Sequence, residues 1–375
     1  MPERIDLSRA DDPRDVVHRA VECLAQGGVV ALPTESGYAI AAAALNPSAV
    51  GRLRDLGTNG PIAAADPAGL PTLLLKGPCE VDDWAAISSE TGRRLARRAW
   101  PGPVTLVFPA LAGGLSGRLP DATRSYLVPG FQIAVRAPSY RMTREILRLL
   151  PGPLIEAAPP AFAGDRRATA DDLAGREGLD MILDVGPTRQ HAGPSTVVVD
   201  GDAWSVVRPG AMPERAIAQM AGTIILFVCT GNTCRSPMAE ALCKALIARK
   251  LRCAVEDLVD RGYVVLSAGV SASDGMPAAA NAVEVVRSRG GSLEDHASRR
   301  ATPDLVGHAD HILAMTLDHL DILLDQIPEV APRTRLLDPQ GDDVDDPVGA
   351  DHETYSRTAR QIEAHLAHLI RELGL

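Results

Sequence analysis

The 375-residue sequence has no apolar run that approaches the ~18 to 20 residues needed to span a membrane. Its first fifteen residues, MPERIDLSRADDPRD, carry acids and lack the apolar segment of a secretory signal. Zinc-type CxxC pairs and matching histidine spacings are missing around its six cysteines. We therefore expect a cytoplasmic protein without membrane association, with free thiols and without a structural metal.

Basic residues are scarce in the second half of the chain. After residue 220, 23 acidic residues stand against 15 basic ones, whereas before it the counts are 25 and 23. This acidity argues against binding of a nucleic acid backbone by the second half. The nearly neutral first half gives no indication in either direction.

Short apolar runs alternate with helical patterns along the chain, as in GTIILFVCTG followed by SPMAEALCKALIARK. This alternation predicts α/β folds with mostly parallel sheets. The chain is also too long for one ordinary core and suits two domains. In RPGAMPERAIAQMAGT a Pro/Gly turn precedes a short helical pattern, so we place the domain boundary there, between residues 1–215 and 221–375.

The segment CTGNTCRS follows an apolar strand pattern and precedes a helix that we expect to begin at Pro237, with Ser236 as its cap. Five residues separate Cys229 from Arg235, enough to turn several backbone N–H groups toward one point at a helix N-terminus. Gly231 and Asn232 of this loop are residue types that tolerate the left-handed backbone of a tight turn. The pattern predicts a phosphate-binding loop, formed by Thr230, Gly231, Asn232, Thr233, Cys234 and Ser236.

Such a loop also has consequences for the cysteine. The same field of N–H groups stabilises a thiolate, so we expect a lowered pKa and a nucleophilic role for Cys229. Arg235 can bind two phosphate oxygens, and Ser236 can donate to the sulfur when it leaves. The alternative is a buried structural cysteine beside a surface arginine. The order of strand, turn, arginine and helix favours the phosphate loop.

The segments VCTGNTCRSPMAEAL, SAGVSASDGMPAAANAVEVVRSRG, HASRRAT and ADHILAMT together resemble the low molecular weight protein tyrosine phosphatases, over essentially all of residues 223–375. The resemblance implies a doubly wound four-stranded parallel sheet, a phosphocysteine intermediate and no cofactor. The substrate it implies is a phosphorylated protein or a small phosphoester. Thioredoxin-coupled arsenate reductases share this fold but need further cysteines downstream, and no cysteine follows Cys253.

An acidic stretch, GDDVDDPVG, supplies candidates for a proton donor to the leaving group. Asp346 precedes Pro347, which confines it to extended conformations, and a nearby phosphate would raise the pKa of its carboxyl toward that of a working acid. In the similar family the Asp before Pro is the general acid. The resemblance therefore assigns this role to Asp346, with Asp345 as a supporting neighbour or alternative.

Two positions bear on the substrate. Val348 stands where the family usually has an aromatic residue, and Thr233 replaces a larger aliphatic residue, as in the branch that acts on phosphoarginine. Phosphotyrosine and phosphoarginine both remain open. Cys234 also has two interpretations, because it either forms a reversible disulfide with Cys229 that protects the nucleophile or fills space behind the loop.

The first half contains PTESGYAIAAAALNPSAVGRL, RAWPGPVTLVFPA, FQIAVRAPSY, ILDVGPTRQHAGPSTVVVD and WSVVRPG in this order. Together they resemble the YrdC-like threonylcarbamoyl-AMP synthases over about residues 10–212. The resemblance implies a twisted mixed α/β sheet with a deep groove, threonine, bicarbonate and ATP with magnesium as ligands, and only an indirect relation to tRNA. The matching positions that would contact ligands are Thr34, Tyr38, Thr105, Arg136, Ser195, Thr196 and Arg208.

Two segments of the first half depart from that family. LRDLGTNGPIA lacks the Lys and Arg of the Lys-x-Arg-Pro segment, and EAAPPAFAG replaces Ser-Ala-Asn. Each lost charge-assisted hydrogen bond is worth about 1.5 to 3 kcal/mol. Two hypotheses follow for the whole chain: a phosphatase fused to a non-catalytic ligand-sensing or scaffolding domain, or a bifunctional enzyme whose first half is an active synthase.

Overall fold

The computed structural model describes residues 1–57, 66–157, 169–187 and 192–375. By its internal contacts the chain forms two compact units, Met1–Ala221 and Gly222–Leu375. Within the described residues, no helix combines the length and the apolar character needed to cross a membrane.

The first unit contains six helices and ten strands among its described residues. The helices are α1 (Pro13–Ala25), α2 (Pro47–Leu56), α3 (Glu90–Ala99), α4 (Asp121–Leu127), α5 (Arg141–Leu149) and α6 (Glu214–Ala221). The strands are β1 (Glu3–Asp6), β2 (Val29–Thr34), β3 (Gly37–Ala43), β4 (Thr72–Leu74), β5 (Val104–Pro109), β6 (Gln132–Arg136), β7 (Leu154–Ala157), β8 (Met181–Asp184), β9 (Ser195–Asp200) and β10 (Ala203–Arg208).

These strands form one mixed sheet in the order β1-β8-β2-β3-β7-β4-β6-β5-β9-β10. Strand β2 is buried on both faces because its alternate side chains enter two different apolar clusters. Val30 and Leu32 pack with α1 and α5, whereas Val29 and Ala31 face the larger cluster on the other side. The apolar run VVAL therefore belongs to a central strand and not to an edge strand.

The predicted linking helix is part of the first unit. Ile217 and Ala221 of α6 lie in the main apolar cluster of that unit, and Arg98 of α3 donates to the Met220 carbonyl oxygen over 2.7 Å. The division between the units falls after α6, at Ala221 and Gly222.

The second unit has five helices and four strands. The helices are α7 (Arg235–Leu251), α8 (Ala280–Arg287), α9 (Pro303–His308), α10 (Leu317–Gln326) and α11 (His352–Glu372), and the strands are β11 (Thr223–Cys229), β12 (Tyr263–Gly269), β13 (His311–Ala314) and β14 (Thr334–Leu336). All strand pairs are parallel, in the order β12-β11-β13-β14.

Strand β11 carries the candidate site because it is central and ends at the carboxyl edge of the sheet. Its side chains alternate, so that Ile225 and Phe227 pack with α7 and α11 while Leu226 and Val228 pack with α9 and α10. The predicted fold class is confirmed in both halves: a mixed α/β sheet in the first unit and a four-stranded, all-parallel sheet covered by helices in the second.

Candidate active site

The loop after Cys229 connects the end of β11 to the start of α7. Helix α7 begins at Arg235, two residues before the predicted start at Pro237, and Cys234 occupies the cap position without a side-chain cap bond. The prediction of Ser236 as the cap is therefore wrong. The loop is closed tightly enough that Arg235 already belongs to the helix, and the hydroxyl of Ser236 bonds elsewhere. It lies 3.2 Å from the Ala268 carbonyl oxygen, and it has a further partner in the loop.

That partner is the Cys229 sulfur. Ser236 Oγ lies 3.0 Å from Cys229 Sγ, and the Asn232 backbone N–H donates to the same sulfur over 3.2 Å. The cysteine side chain is buried. An amide and a hydroxyl directed at one buried sulfur are groups that stabilise a thiolate.

Asn232 holds the loop in shape. It is fully buried and adopts the left-handed conformation with φ of 55°, whereas Gly231 does not take a positive φ. Its side-chain amide donates to Ser236 Oγ over 3.0 Å and to Ser267 Oγ over 2.8 Å, and its Oδ1 accepts the Arg299 N–H over 2.9 Å. Asparagine supplies both the backbone freedom and the hydrogen bonds that glycine could not.

Gly269, at the end of β12, allows this loop to approach the sheet. It is the register partner of Cys229, and a Cβ atom added to it would lie 2.4 Å from the Thr230 carbonyl oxygen and 2.9 Å from the Asn232 nitrogen. Both neighbours are backbone atoms that cannot turn aside. A glycine is required here for close backbone packing rather than for a positive φ.

The acidic stretch reaches the loop through Asp346. Its Oδ2 accepts from Arg235 Nη2 over 2.7 Å, while its Oδ1 accepts the Val348 N–H over 3.2 Å. The guanidinium is 7% exposed and the carboxylate 48% exposed, so the pair lies at the mouth of the site. Asp345 points elsewhere: its carboxylate is 3.9 Å from Arg357 Nε on the exposed surface.

The remaining loop residues contact neighbouring elements. Thr230 Oγ1 lies 2.8 Å from His319 Nε2, and the Thr233 carbonyl oxygen accepts the Ala279 N–H over 2.9 Å. Cys234 Sγ lies 3.2 Å from the Tyr355 hydroxyl. Burial, and after it the bond to Cys234, raise the pKa of Tyr355.

All six cysteines are free thiols in the structure, including Cys229 and Cys234. Cys243, on the inner face of α7, is fully buried, and burial raises the pKa of its thiol to about 12. It is therefore an inert core residue.

In the first unit, three of the predicted ligand-contacting residues form one row across the sheet. Thr105 on β5 is the register partner of Thr196 on β9, which is in turn the partner of Arg208 on β10. The Thr105 and Thr196 hydroxyls are buried and have no hydrogen-bond partner among the described residues. Burial lowers the pKa of the partly exposed Arg208 guanidinium. This row presents polar groups that the described part of the chain leaves for a ligand or water.

Arg136 is already engaged by two carboxylates. Its guanidinium donates to both oxygens of Glu156 over 2.7 and 2.6 Å and to Glu35 Oε1 over 2.9 Å, and it is only 1% exposed. Glu156 opens the segment EAAPPAFAG, which replaces the family's Ser-Ala-Asn. A residue expected to contact a ligand is thus neutralised from within the chain.

Three further predicted residues also make internal hydrogen bonds. Thr34 Oγ1 donates to the Gly37 carbonyl oxygen over 2.9 Å, and Ser195 Oγ donates to the Met212 carbonyl oxygen over 2.8 Å. The Tyr38 hydroxyl donates to the Gly186 carbonyl oxygen over 2.8 Å, and burial raises its pKa. Most of LRDLGTNGPIA and EAAPPAFAG, from residues 58 and 158 onward, lies outside the described residues.

Comparisons with known proteins divide the chain at the same place. Residues 224–374 match the family described as low molecular weight phosphotyrosine protein phosphatase, and residues 22–210 match the Sua5/YciO/YrdC family, described as telomere recombination. A protein-arginine-phosphatase of Geobacillus stearothermophilus is 34% identical over 153 residues, which are 40% of this chain and 95% of that protein.

Two further relatives cover the same regions. The crystal structure of a low molecular weight protein tyrosine phosphatase from T. tengcongensis is 34% identical, covering 40% of this chain and 99% of that chain with a TM-score of 0.36. A threonylcarbamoyl-AMP synthase of Pyrococcus abyssi is 31% identical over 215 residues, which are 53% of this chain and 55% of that protein. This chain therefore spans about half the length of that synthase.

The second unit is thus a parallel α/β domain built around a cysteine loop, and its relatives are hydrolases of phosphorylated protein residues. The chain belongs to the low molecular weight phosphotyrosine protein phosphatase family through this unit and to the Sua5/YciO/YrdC family through its first.

Several residues of the site were missed by sequence reasoning. The signal for Ser267, Gly269 and His296 was present, because all three lie in segments that carry the family resemblance, but no role was assigned to them. His296 Nε2 lies 2.8 Å from the Asn232 carbonyl oxygen, so it also supports the loop. Tyr355 and His319 gave no signal, since each appears as an ordinary member of an amphipathic helix.

Gly269→Ala should abolish binding of inorganic phosphate to the full chain, because the new Cβ displaces the Thr230 carbonyl and the Asn232 amide. Gly307→Ala is the matched control, since a Cβ there meets nothing within 4 Å. Isothermal titration with phosphate measures the effect. Unchanged phosphate affinity in Gly269→Ala would show that the loop does not need this close approach.

Proposed function

We propose that the second unit hydrolyses phosphorylated protein side chains through a phosphocysteine formed at Cys229. The observation that carries this proposal is the convergence on one sulfur of a loop amide and a serine hydroxyl, next to a buried arginine paired with an aspartate. A thiolate held this way is a nucleophile, the guanidinium binds phosphoryl oxygens, and the carboxyl transfers protons.

In the first step, Cys229 Sγ attacks phosphorus and the bond to the leaving group breaks. Asp346 gives its proton to the leaving atom, and the Arg235 guanidinium stabilises the negative charge on the phosphoryl oxygens in the transition state. In the second step, Asp346 accepts a proton from water, which attacks the phosphocysteine. The S–P bond breaks, and Ser236 and the Asn232 amide stabilise the thiolate that leaves.

Substrate binding must rearrange the resting ion pair. A phosphoryl group that binds Arg235 bidentately competes with Asp346, whose Oδ2 now occupies one guanidinium nitrogen. Once released, Asp346 can turn toward the leaving atom above the phosphorus. The partial exposure of its carboxylate leaves room for this movement.

We propose phosphoarginine as the substrate in preference to phosphotyrosine. Val348 is 67% exposed and offers no ring to flank a phenol, and Thr233 gives the loop a small polar side chain. The released Asp346 carboxyl would lie beside the substrate guanidinium, where it can hydrogen-bond the N–H groups and protonate the leaving nitrogen. Protein-arginine-phosphatases of two organisms are 34% and 37% identical to this chain over 95% of their length.

Asp346→Asn should slow hydrolysis of a phosphomonoester with a poor leaving group by about 10²-fold or more, because the leaving oxygen needs the proton. Turnover of p-nitrophenyl phosphate, whose phenolate leaves readily, should fall much less. The kcat/KM values for the two substrates measure the difference, because kcat also contains the hydrolysis of the phosphocysteine that both substrates share. Asp345→Asn is the matched control and should change neither rate. Equal losses on both substrates in Asp346→Asn would remove the acid role from this residue.

Thr233→Ile should raise kcat/KM for a phosphotyrosine peptide relative to a phosphoarginine peptide by about 10-fold, since a larger apolar side chain narrows the pocket against the branched guanidinium. Thr233→Val separates size from polarity, because it removes the hydroxyl at nearly constant volume. An unchanged ratio in Thr233→Ile would show that residue 233 does not select the substrate.

For the first unit we propose ligand binding without efficient synthesis of threonylcarbamoyl-AMP. The row of Thr105, Thr196 and Arg208 supports retained binding of a nucleotide or threonine. Arg136, neutralised by Glu156 and Glu35, is not available to a carboxylate or phosphate ligand in this arrangement. The Lys and Arg of the family's phosphate segment are absent from the sequence. ATP with magnesium remains the ligand set if the unit is active, which is the bifunctional alternative.

Pyrophosphate release by the full chain with threonine, bicarbonate, ATP and magnesium should therefore be slower than that of an intact threonylcarbamoyl-AMP synthase by about 10²-fold or more. The assay uses the Cys229→Ala chain, which lacks the proposed nucleophile of the second unit. Threonine-dependent release at a rate comparable to the intact synthase would make the bifunctional enzyme the better account.

A further inference from the structure

His319, in the first turn of α10, is a buried imidazole that uses both ring nitrogens. Nε2 lies 2.8 Å from Thr230 Oγ1 in the phosphate loop, and Nδ1 lies 2.7 Å from Thr316 Oγ1. Thr316 is the cap residue of α10 and also accepts the His319 backbone N–H over 3.4 Å. The imidazole thus links a helix cap to the first residue after Cys229.

The protonation state of His319 suits this link. Burial, and after it the charge of Arg235, lower the pKa of the imidazole, while the carboxylates of Asp318, Asp346 and Asp343 act in the opposite direction. The ring is neutral at neutral pH, so one nitrogen donates and the other accepts. Two threonine hydroxyls satisfy both requirements, because each can donate or accept.

The turn that carries His319 also holds the acidic stretch. The Met315 carbonyl oxygen accepts the Val344 N–H over 2.8 Å, and Asp343 Oδ1 accepts the Leu317 N–H over 2.8 Å. These contacts lie two to three residues before Asp346. Residues 315–319 therefore bind the acidic stretch on one side and, through the imidazole, the phosphate loop on the other.

We infer that His319 is a positioning residue of the phosphatase site, one that orients the Thr230 hydroxyl at the mouth of the loop and keeps the loop aligned with the stretch bearing Asp346. This inference rests on the proposed function. Thr230 is exposed, and its backbone is already fixed by the Ser271 N–H, which donates to the Thr230 carbonyl oxygen over 3.0 Å. The orientation of its side chain depends on the hydrogen bond with His319 Nε2. His319 itself does not touch the substrate.

A double-mutant cycle on the full chain tests the link. His319→Leu removes the ring nitrogens, Thr230→Val removes the hydroxyl, and the readouts are the affinity for inorganic phosphate and kcat/KM for p-nitrophenyl phosphate. Loss of one neutral hydrogen bond lowers the phosphate affinity or kcat/KM by about 3- to 10-fold. We expect each single variant to lose that much and the double variant to lose no more than the worse single one.

Two further variants distinguish a positioning role of His319 from a role in packing alone. His319→Gln places an amide near the position of Nε2, so it should retain phosphate affinity within about 2-fold by keeping the bond to Thr230. His365→Leu is the matched control, a partly buried histidine of α11 whose Nδ1 lies 3.7 Å from Asp338 Oδ1. It should lower the melting temperature without changing phosphate affinity.

The outcomes are distinct. Single losses that multiply in the double variant, or a Gln variant as impaired as the Leu variant, would overturn the positioning role while leaving the phosphatase intact. A wild-type chain that neither binds phosphate nor hydrolyses p-nitrophenyl phosphate would overturn the proposed function, and this inference with it.

Discussion

The hydrogen bonds of one buried asparagine hold the candidate site of the second unit together. Asn232 turns the loop through a left-handed residue, directs its own N–H at the Cys229 sulfur and ties the loop to β12 through Ser267. Because every polar group of Asn232 has a partner, its burial costs little and its position is fixed. Other features follow from this constraint: the missing Cβ of Gly269 makes room for the loop, and Asn232 holds the Ser236 hydroxyl 3.0 Å from the sulfur.

The first unit is governed by a different constraint, a buried cation that the chain itself neutralises. Arg136 lies between Glu156 and Glu35, and removing both carboxylates would leave its buried charge without compensation. The same arrangement withholds that cation from a ligand. Among the described residues, the first unit thus has unpaired buried hydroxyls on Thr105 and Thr196, while the guanidinium of Arg136 is bound within the chain by Glu156 and Glu35.

The fold class and the phosphate loop could be predicted from the sequence because both depend on residues that are close together in the chain. The alternation of apolar runs and helices predicted the α/β class of both halves, and the spacing from Cys229 to Arg235 identified the loop. The prediction of a mostly parallel sheet from this alternation fails for the first half, where the family resemblance correctly implied a mixed sheet. Contacts over long separations could not be predicted: Arg235 and Asp346 are 111 positions apart in the chain, and Thr230 and His319 are 89 positions apart. The start of α7 was misplaced because Ser-Pro is a strong capping signal, and the loop geometry overrode it. Glu156 was passed over because only the absent family residues were considered.

The central claim is that Cys229 becomes phosphorylated during turnover. Mixing the full chain with a phosphoarginine peptide, quenching within the first turnover and mapping the phosphate by mass spectrometry tests it most directly. The account predicts phosphate on the peptide that contains Cys229 and none on the corresponding peptide of Cys229→Ala. Phosphate on any other residue, or turnover that persists in Cys229→Ala, would contradict it.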